Sequence, residues 1–161
     1  SLPIQIINLS EHFTLVEAPE SQTAARLGID NLKPSLEIIT TAARTAIKLE
    51  KVRALLDKPI SVSSCIRCSN LNRALKSKDT SQHIVGEAVD FSSPFGSSLD
   101  ICKKILESKE LINFDQLILE HTWVHISLQA TPRSIQRGQV LSLLSEGGYA
   151  HELPAKFGKA Y

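Results

Sequence analysis

FDQLILEHTWVHISL, residues 114–128, sets two histidines four positions apart, the spacing at which one turn of helix brings two imidazoles to a single metal. The same letters also fit a pair of strands, and the two readings lead to different folds. Between His121 and His125 stand Thr122, Trp123 and Val124, β-branched and aromatic side chains that suit a pleated surface. Thr122 also occupies the place where the helical zinc-protease motif carries glutamate. The segment therefore reads as two strands, FDQLILE and WVHISL, joined by His121 and Thr122. These are not the glycine-containing residues that two-residue hairpin loops favour. In this register Glu120 pairs with Trp123 and Ile118 with His125. Paired residues share a face of the sheet, and Trp123 and His125 share one by alternation. Glu120 is then diagonal to His125, roughly 7–8 Å away at the backbone, so that its carboxylate reaches a water on any metal held by that histidine.

Upstream, SQHIVGEAVDF at 81–91 holds His83 and Asp90 seven positions apart, with Gly86 and Ala88 between them. One reading is an ordinary loop entering the strand EAVDF, with the histidine simply satisfied. The other is a pair of metal ligands completed by His125. Zinc takes nitrogen and oxygen donors in a tetrahedral shell and leaves one position to water in a catalytic site. Gly86 lets the chain turn sharply between the first two donors, and Ala88 leaves room for packing or substrate. Such a zinc lowers the pKa of its water toward ~7, and a nearby carboxylate can take the proton.

The remaining chain frames this half. PSLEIITTAARTAIKLEKVRALLDKP, 34–59, puts Leu36, Ile39, Ala43 and Ile47 at helical spacing between Pro34 and Pro59, as one helix or two. Ser21 caps a shorter segment ending at Gly28. ISVSSCI, 60–66, is a short β-branched strand, and SNLNRALK, 69–76, suits a helical turn. SSPFGSS is a loop from which Ser98 is expected to cap the amphipathic LDICKKILESKEL. Helices first and strands after predict an α+β domain with a small antiparallel sheet. One domain is expected over 1–161, with a helical part at about 1–58, a sheet part at about 59–128 and a tail, 129–161, of mixed turn-forming residues.

Composition narrows the function classes. With 42% apolar and 22% charged residues over 161 positions, the chain is long enough to bury a core without staples. A formal charge of +1 lacks the basic excess of a nucleic-acid binder, and no apolar run approaches a membrane span. The opening SLPIQIINLSEHF shows no Sec-type signal. Three cysteines do not make a secreted disulfide framework. Cys65 and Cys68 form CIRC, but a redox pair would open a helix and a zinc ribbon would need a second pair. Two small residues flanking a strand end is the simpler reading. Cys102, among Ile101, Ile105 and Leu106, reads as core.

The ordered residues S-Q-H-I-V-G-E-A-V-D resemble the S-x-H-x-x-G-x-A-x-D motif of the zinc D-alanyl-D-alanine carboxypeptidase family, and W-V-H at 123–125 resembles its W-x-H motif. KPISVSSCIRCSNLNRAL, 58–75, resembles the segment upstream of the first ligand in one branch of that family, and LSEHFTLVEAPESQTAARLGIDN, 9–31, is similar to the N-terminal portion of its phage-encoded members. The resemblance extends to about Leu128. It implies a hedgehog/DD-peptidase-like fold and a mononuclear Zn2+ site held by His83, Asp90 and His125. Arg67 matches the family arginine that binds the substrate carbonyl and stabilises its oxyanion, a use for which a fixed guanidinium is well suited. Glu120 is the expected general base, with His121 as its rival and an exposed loop position as the simpler reading of His121. Many relatives carry an acidic residue three positions before the last histidine, where this chain has Thr122. They also commonly read S-G-Y-R-S where this chain has Ser64, Cys65, Ile66, Arg67 and Cys68, which removes an aromatic residue from the region that holds substrate.

The implied activity is hydrolysis of peptidoglycan peptide bonds by a metal-activated water, of D-Ala-D-Ala carboxypeptidase or muramoyl-peptide endopeptidase type. The implied partners are bacterial peptidoglycan peptides. The expected setting is a phage endolysin, in the host cytoplasm before holin-type release, or a virion component. A second class stays open at this point: a zinc-containing module that binds cell wall or builds a virion without turnover, as the similar hedgehog domains imply.

Overall fold

A single helix, α1 (Leu36–Leu56), occupies most of the stretch between Pro34 and Pro59. The computed structural model describes residues 7–15, 36–64, 88–128 and 136–154, and α1 crosses the core of that structure. Ala42, Ala46, Leu49, Val52 and Leu56 form its buried stripe, at the three-to-four-residue spacing that keeps side chains on one face. The stripe is turned from the one the spacing of Ala43 and Ile47 suggested: Ile47 is 58% exposed. Leu49, Val52 and Leu56 fix which side faces inward, and position 47 lies two residues, about half a turn, from Leu49. Asp57, in the left-handed region at φ 50, ends the helix, its N–H donating to the Arg53 carbonyl at 2.9 Å.

A two-residue ribbon, β1 (Ile7–Asn8) with β2 (Thr14–Leu15), is tied to α1 by one carboxylate. Ser10 Oγ and His12 N donate to Glu50 Oε2 at 2.6 and 2.8 Å, and His12 Nδ1 lies 2.7 Å from Oε1. Burial raises the Glu50 pKa, but these hydrogen bonds outweigh it and hold the carboxyl below its ordinary value.

The main sheet contains β3 (Ser61–Ser64), β4 (Ala88–Ser92), β5 (Phe114–Leu119), β6 (Val124–Leu128), β7 (Gln139–Leu143) and β8 (Tyr149–Ala150), in the order β3-β4-β6-β5-β7-β8. The α+β class holds, and β3, β4, β6 and β5 pair antiparallel as expected. The tail alters the picture. β7 joins β5 in parallel, and β8 turns back on β7, so the sheet is mixed. Weak alternation in QVLSL hid this strand from the sequence pattern, and a parallel partner requires a long crossover that local residues do not announce.

One face of the sheet makes the core. Val89, Phe91, Leu117, Leu119, Val124 and Ile126 pack there with Leu49 and Val52 of α1 and with Ile101 and Ile105 of α2 (Ser98–Glu107). The N-cap of α2 is Ser97, one residue before the expected Ser98. Its Oγ accepts from Asp100 N at 3.1 Å, while Asp100 Oδ2 accepts from Ser97 N at 3.1 Å, a reciprocal capping box. A side chain on Gly96 would meet Asp100 Oδ2 at 2.7 Å. Displaced from the cap, Ser98 is buried in the first turn and serves the neighbouring hairpin. Cys102 is fully buried in the core, as expected, and burial pushes its thiol up to about 12. A short helix, α3 (Lys109–Ile112), ends at Asn113, whose left-handed φ of 49 turns the chain into β5.

Asp115 is the anchor of the tail. It sits at an irregularity between the Phe114↔Leu128 and Gln116↔Ser127 pairs and is buried. Arg137 binds its two oxygens with Nε and Nη2, both at 3.0 Å, and Arg137 N donates at 2.8 Å. Gln116 Nε2 then donates to Gln139 Oε1 at 2.8 Å, holding β7 in register beside β5.

Candidate metal centre

The sheet face opposite the core carries Asp90 and His125 beside buried Ile118 and Leu141. Asp90 on β4 and His125 on β6 are direct partners across the antiparallel ladder, where opposed Cβ atoms lie ~4.5–5.5 Å apart. Asp90 Oδ1 and His125 Nδ1 are 3.0 Å apart, with both side chains largely withdrawn from solvent. The ladder continues from His125 to Ile118 and from Ile118 to Leu141, so this row of side chains shares one face across four strands.

The next row along that face is set by the β5–β6 hairpin. Glu120 N donates to Trp123 O at 3.1 Å, closing the chain over His121 and Thr122 in the register that pairs Ile118 with His125. The predicted hairpin is therefore present although its loop lacks glycine. Ser98 Oγ compensates from α2, reaching the carbonyls of Glu120 and His121 at 3.3 and 3.4 Å, so the helix holds the loop that the loop's own residues hold weakly. His121 is exposed, the simpler of its two readings.

Glu120 lies on the same face as His125, two residues beyond Ile118. Burial first, and then the negative charge of Asp90, push its carboxyl up to about 7. A half-buried acid whose affinity for a proton is raised to neutrality is suited to proton transfer near pH 7. The pair Asp90–His125 meanwhile offers one oxygen and one nitrogen. Ligand atoms at zinc–donor lengths on a tetrahedral centre are about 3.3 Å apart, close to the separation found, and one carboxylate with one imidazole is a donor set zinc accepts. These two residues fit the metal.

His83 and Arg67 lie outside the described residues, as do Cys65 and Cys68. Among the described residues there is no cluster of three or more His, Cys, Asp or Glu side chains able to hold a metal. None of the described helices is long and apolar enough to cross a membrane.

Sequence reasoning missed Tyr149. The pairs Leu119↔Ser142 and Leu143↔Tyr149 carry the Glu120 row outward across β7 to β8, and the tyrosine arrives from the tail that showed no pattern. The only local signal was the Gly147–Gly148 pair before it, with φ values of 92 and 79, a turn that side chains resist.

Residues 11–127 match the family model of Peptidase M15. That span contains Asp90, Glu120 and His125, as well as Arg67 and His83, and stops before β7 and β8. No curated protein and no solved structure gives a match.

Proposed function

Because the chain belongs to the peptidase M15 family, metallopeptidases that generally depend on zinc and act on peptidoglycan peptides, we propose that it is a zinc peptidase that cleaves a D-amino-acid bond of peptidoglycan stem peptides. The bond is of D-Ala-D-Ala carboxypeptidase or muramoyl-peptide endopeptidase type. The observation that carries the reading is the facing pair Asp90–His125, 3.0 Å apart, with the near-neutral Glu120 carboxyl on the same face.

In this reading Asp90 and His125, with His83, hold Zn2+. When bound, the metal supplies a Lewis acid that polarises the scissile carbonyl and acidifies water. Glu120 takes the proton of the attacking water and returns it to the departing amine, a transfer for which its place on the ligand-bearing face suits it. Arg67, by its match to the family arginine, would supply a guanidinium to the charge that develops on the carbonyl oxygen. Ser98, by fixing the carbonyls of residues 120 and 121, keeps Glu120 in place while its proton moves. The setting we propose is a phage-encoded wall enzyme, held in the host cytoplasm until a holin opens the membrane or carried in the virion. Support comes from the similarity of residues 9–31 to the N-terminal portion of phage-encoded relatives.

The test is mass spectrometry of peptides released from purified bacterial walls by the zinc-loaded protein, with and without a chelator. Chelator-sensitive release is expected, with the fragment masses naming the bond, and Glu120→Gln should keep its zinc while release falls by about 10²–10⁴. A protein that holds its metal and binds wall but releases nothing from several wall chemistries would replace this reading with that of a non-catalytic wall-binding module.

A further inference from the structure

Tyr149 stands in the row of residues that contains Glu120. The parallel pair Leu119↔Ser142, continued by one residue, sets Glu120 beside Leu143, and Leu143 is the direct partner of Tyr149 across β7 and β8. Paired residues share a face in both kinds of ladder, so Tyr149 is on the side of the sheet that carries Asp90 and His125. Two strand spacings, about 9.5 Å, separate its backbone from that of Glu120, with half-buried Leu143 between them.

Its position is built. Leu144 N donates to Gly148 O at 2.9 Å and Gly147 N to Leu144 O at 3.0 Å, so the glycine turn that precedes Tyr149 is closed from both sides. The Asp115–Arg137 fork and the Gln116–Gln139 bond fix the other end of β7. A buried carboxylate paired with a half-exposed arginine, and a two-glycine turn, thus return one residue to this face. The side chain so delivered is 47% exposed, and its hydroxyl makes no hydrogen bond among the described residues. Burial, then the charges of Glu120 and Asp90, raise its pKa, which keeps the phenol protonated and reports both carboxylates within electrostatic reach.

Among the described residues on this face, the phenol adds a hydrogen-bond donor beside two carboxylates. Asp90 and Glu120 offer carboxylate oxygens, whereas the substrate of a peptidase presents carbonyl and carboxylate oxygens that need donors. Resting on the peptidase reading above, we propose that Tyr149 is a substrate-contacting residue, donating its hydroxyl hydrogen bond to a carbonyl or carboxylate oxygen of the stem peptide bound between Glu120 and β8. It lies beyond residue 127, where the family match ends, and contact with the stem peptide there gives the C-terminal hairpin a part in substrate preference.

The experiment compares Tyr149 and Tyr149→Phe in two backgrounds, with a soluble muropeptide carrying a pentapeptide stem as the probe. In zinc-loaded Glu120→Gln protein, calorimetric titration reads affinity without turnover; in the protein with Glu120 intact, steady-state kinetics read KM, kcat and their pH profiles. Losing one neutral hydrogen bond should weaken affinity by about 3–10-fold and raise KM by a similar factor, with kcat and its pH profile unchanged. Equal affinities in the two Glu120→Gln proteins would overturn the proposal. So would a fall in kcat with a displaced pH profile and constant KM, which would mean that the phenol acts on Glu120. Absence of turnover in the wild type would sink the peptidase reading alone, because the titration still reads Tyr149. A Glu120→Gln parent that binds no muropeptide would overturn the Tyr149 proposal, while turnover by the wild type would leave the peptidase reading standing.

Discussion

Asp90 and His125 meet face to face across β4 and β6, their Oδ1 and Nδ1 atoms 3.0 Å apart, although 35 residues of chain separate them. Rigid, centrally placed strands hold both, so neither donor depends on a loop for its position. The two atoms are at hydrogen-bond distance; in the proposed site a zinc ion would compete with that proton, and its binding should release protons.

Zinc retention is the direct consequence. Asp90→Ala and His125→Ala should each lose zinc affinity by at least 100-fold and abolish peptide release, while far-ultraviolet circular dichroism stays close to wild type. Metal analysis after dialysis against a weak chelator checks the first, and wall digestion the second. Retention of stoichiometric zinc by His125→Ala would remove this residue from the ligand set.

Glu120 sets a pH dependence of stability in the chelated protein. Its folded pKa of about 7 lies above the ordinary carboxyl value of 4.5. Below 4.5 the carboxyl is neutral in both states and adds nothing. Between 4.5 and about 7 the unfolded chain gives up the proton while the folded one keeps it, so folding becomes less favourable as pH rises, and above about 7 the loss levels off. The melting temperature of wild type should therefore fall relative to that of Glu120→Gln across this window, with the two held in the same chelator. A difference that stays flat from pH 4 to 8 would contradict the burial of this carboxyl.

Arg137→Ala should destabilise the fold through Asp115. Removing the guanidinium leaves a buried carboxylate with part of its hydrogen bonding gone, a loss of about 2–3 kcal/mol once the half-exposure of Arg137 is allowed for. Urea titration measures it. Tail strands β7 and β8 should lose amide-exchange protection before β4 and β6 do, since the fork ties the tail to the sheet.

The neighbouring serines of α2 should separate in their effects. Ser97→Ala removes the capping box and costs about 1 kcal/mol, read in thermal unfolding, with kcat unchanged. Ser98→Ala frees the Glu120 and His121 carbonyls and should cost a similar stability, yet lower kcat several-fold because the loop carrying Glu120 is less well held. Equal kcat values in the two variants would deny Ser98 its part in the site.

Much of this arrangement was legible in the letters. The strand reading of residues 114–128 followed from Thr122, Trp123 and Val124, and with it the Ile118–His125 register. The helix over 36–56, the burial of Cys102 and the exposure of His121 were legible for the same reason: periodicity and side-chain shape act between residues close along the chain. Where two local signals competed, the reading slipped. Ser97 and Ser98 are equally good caps by type, and only the Asp100 return bond and the burial of Ser98 decide between them. Ala43 and Ile47 have helical spacing, but which stripe of α1 turns inward depends on what the sheet presents to it.

The family motifs, the α+β class and the candidate donors Asp90 and His125 were thus determined by sequence alone. His83, Arg67 and the CIRC segment remain sequence assignments, lying outside the described residues. Tertiary structure decided the rest: the abutment of β4 and β6, the parallel addition of β7, the return of Tyr149 to the Glu120 row and the neutral-range pKa of Glu120. Strand order is settled by burial of one shared core and by pairings across dozens of residues, and a carboxyl's proton affinity is set by the low-dielectric surroundings and charges that those pairings assemble. Neither quantity belongs to any stretch of chain short enough to read by itself.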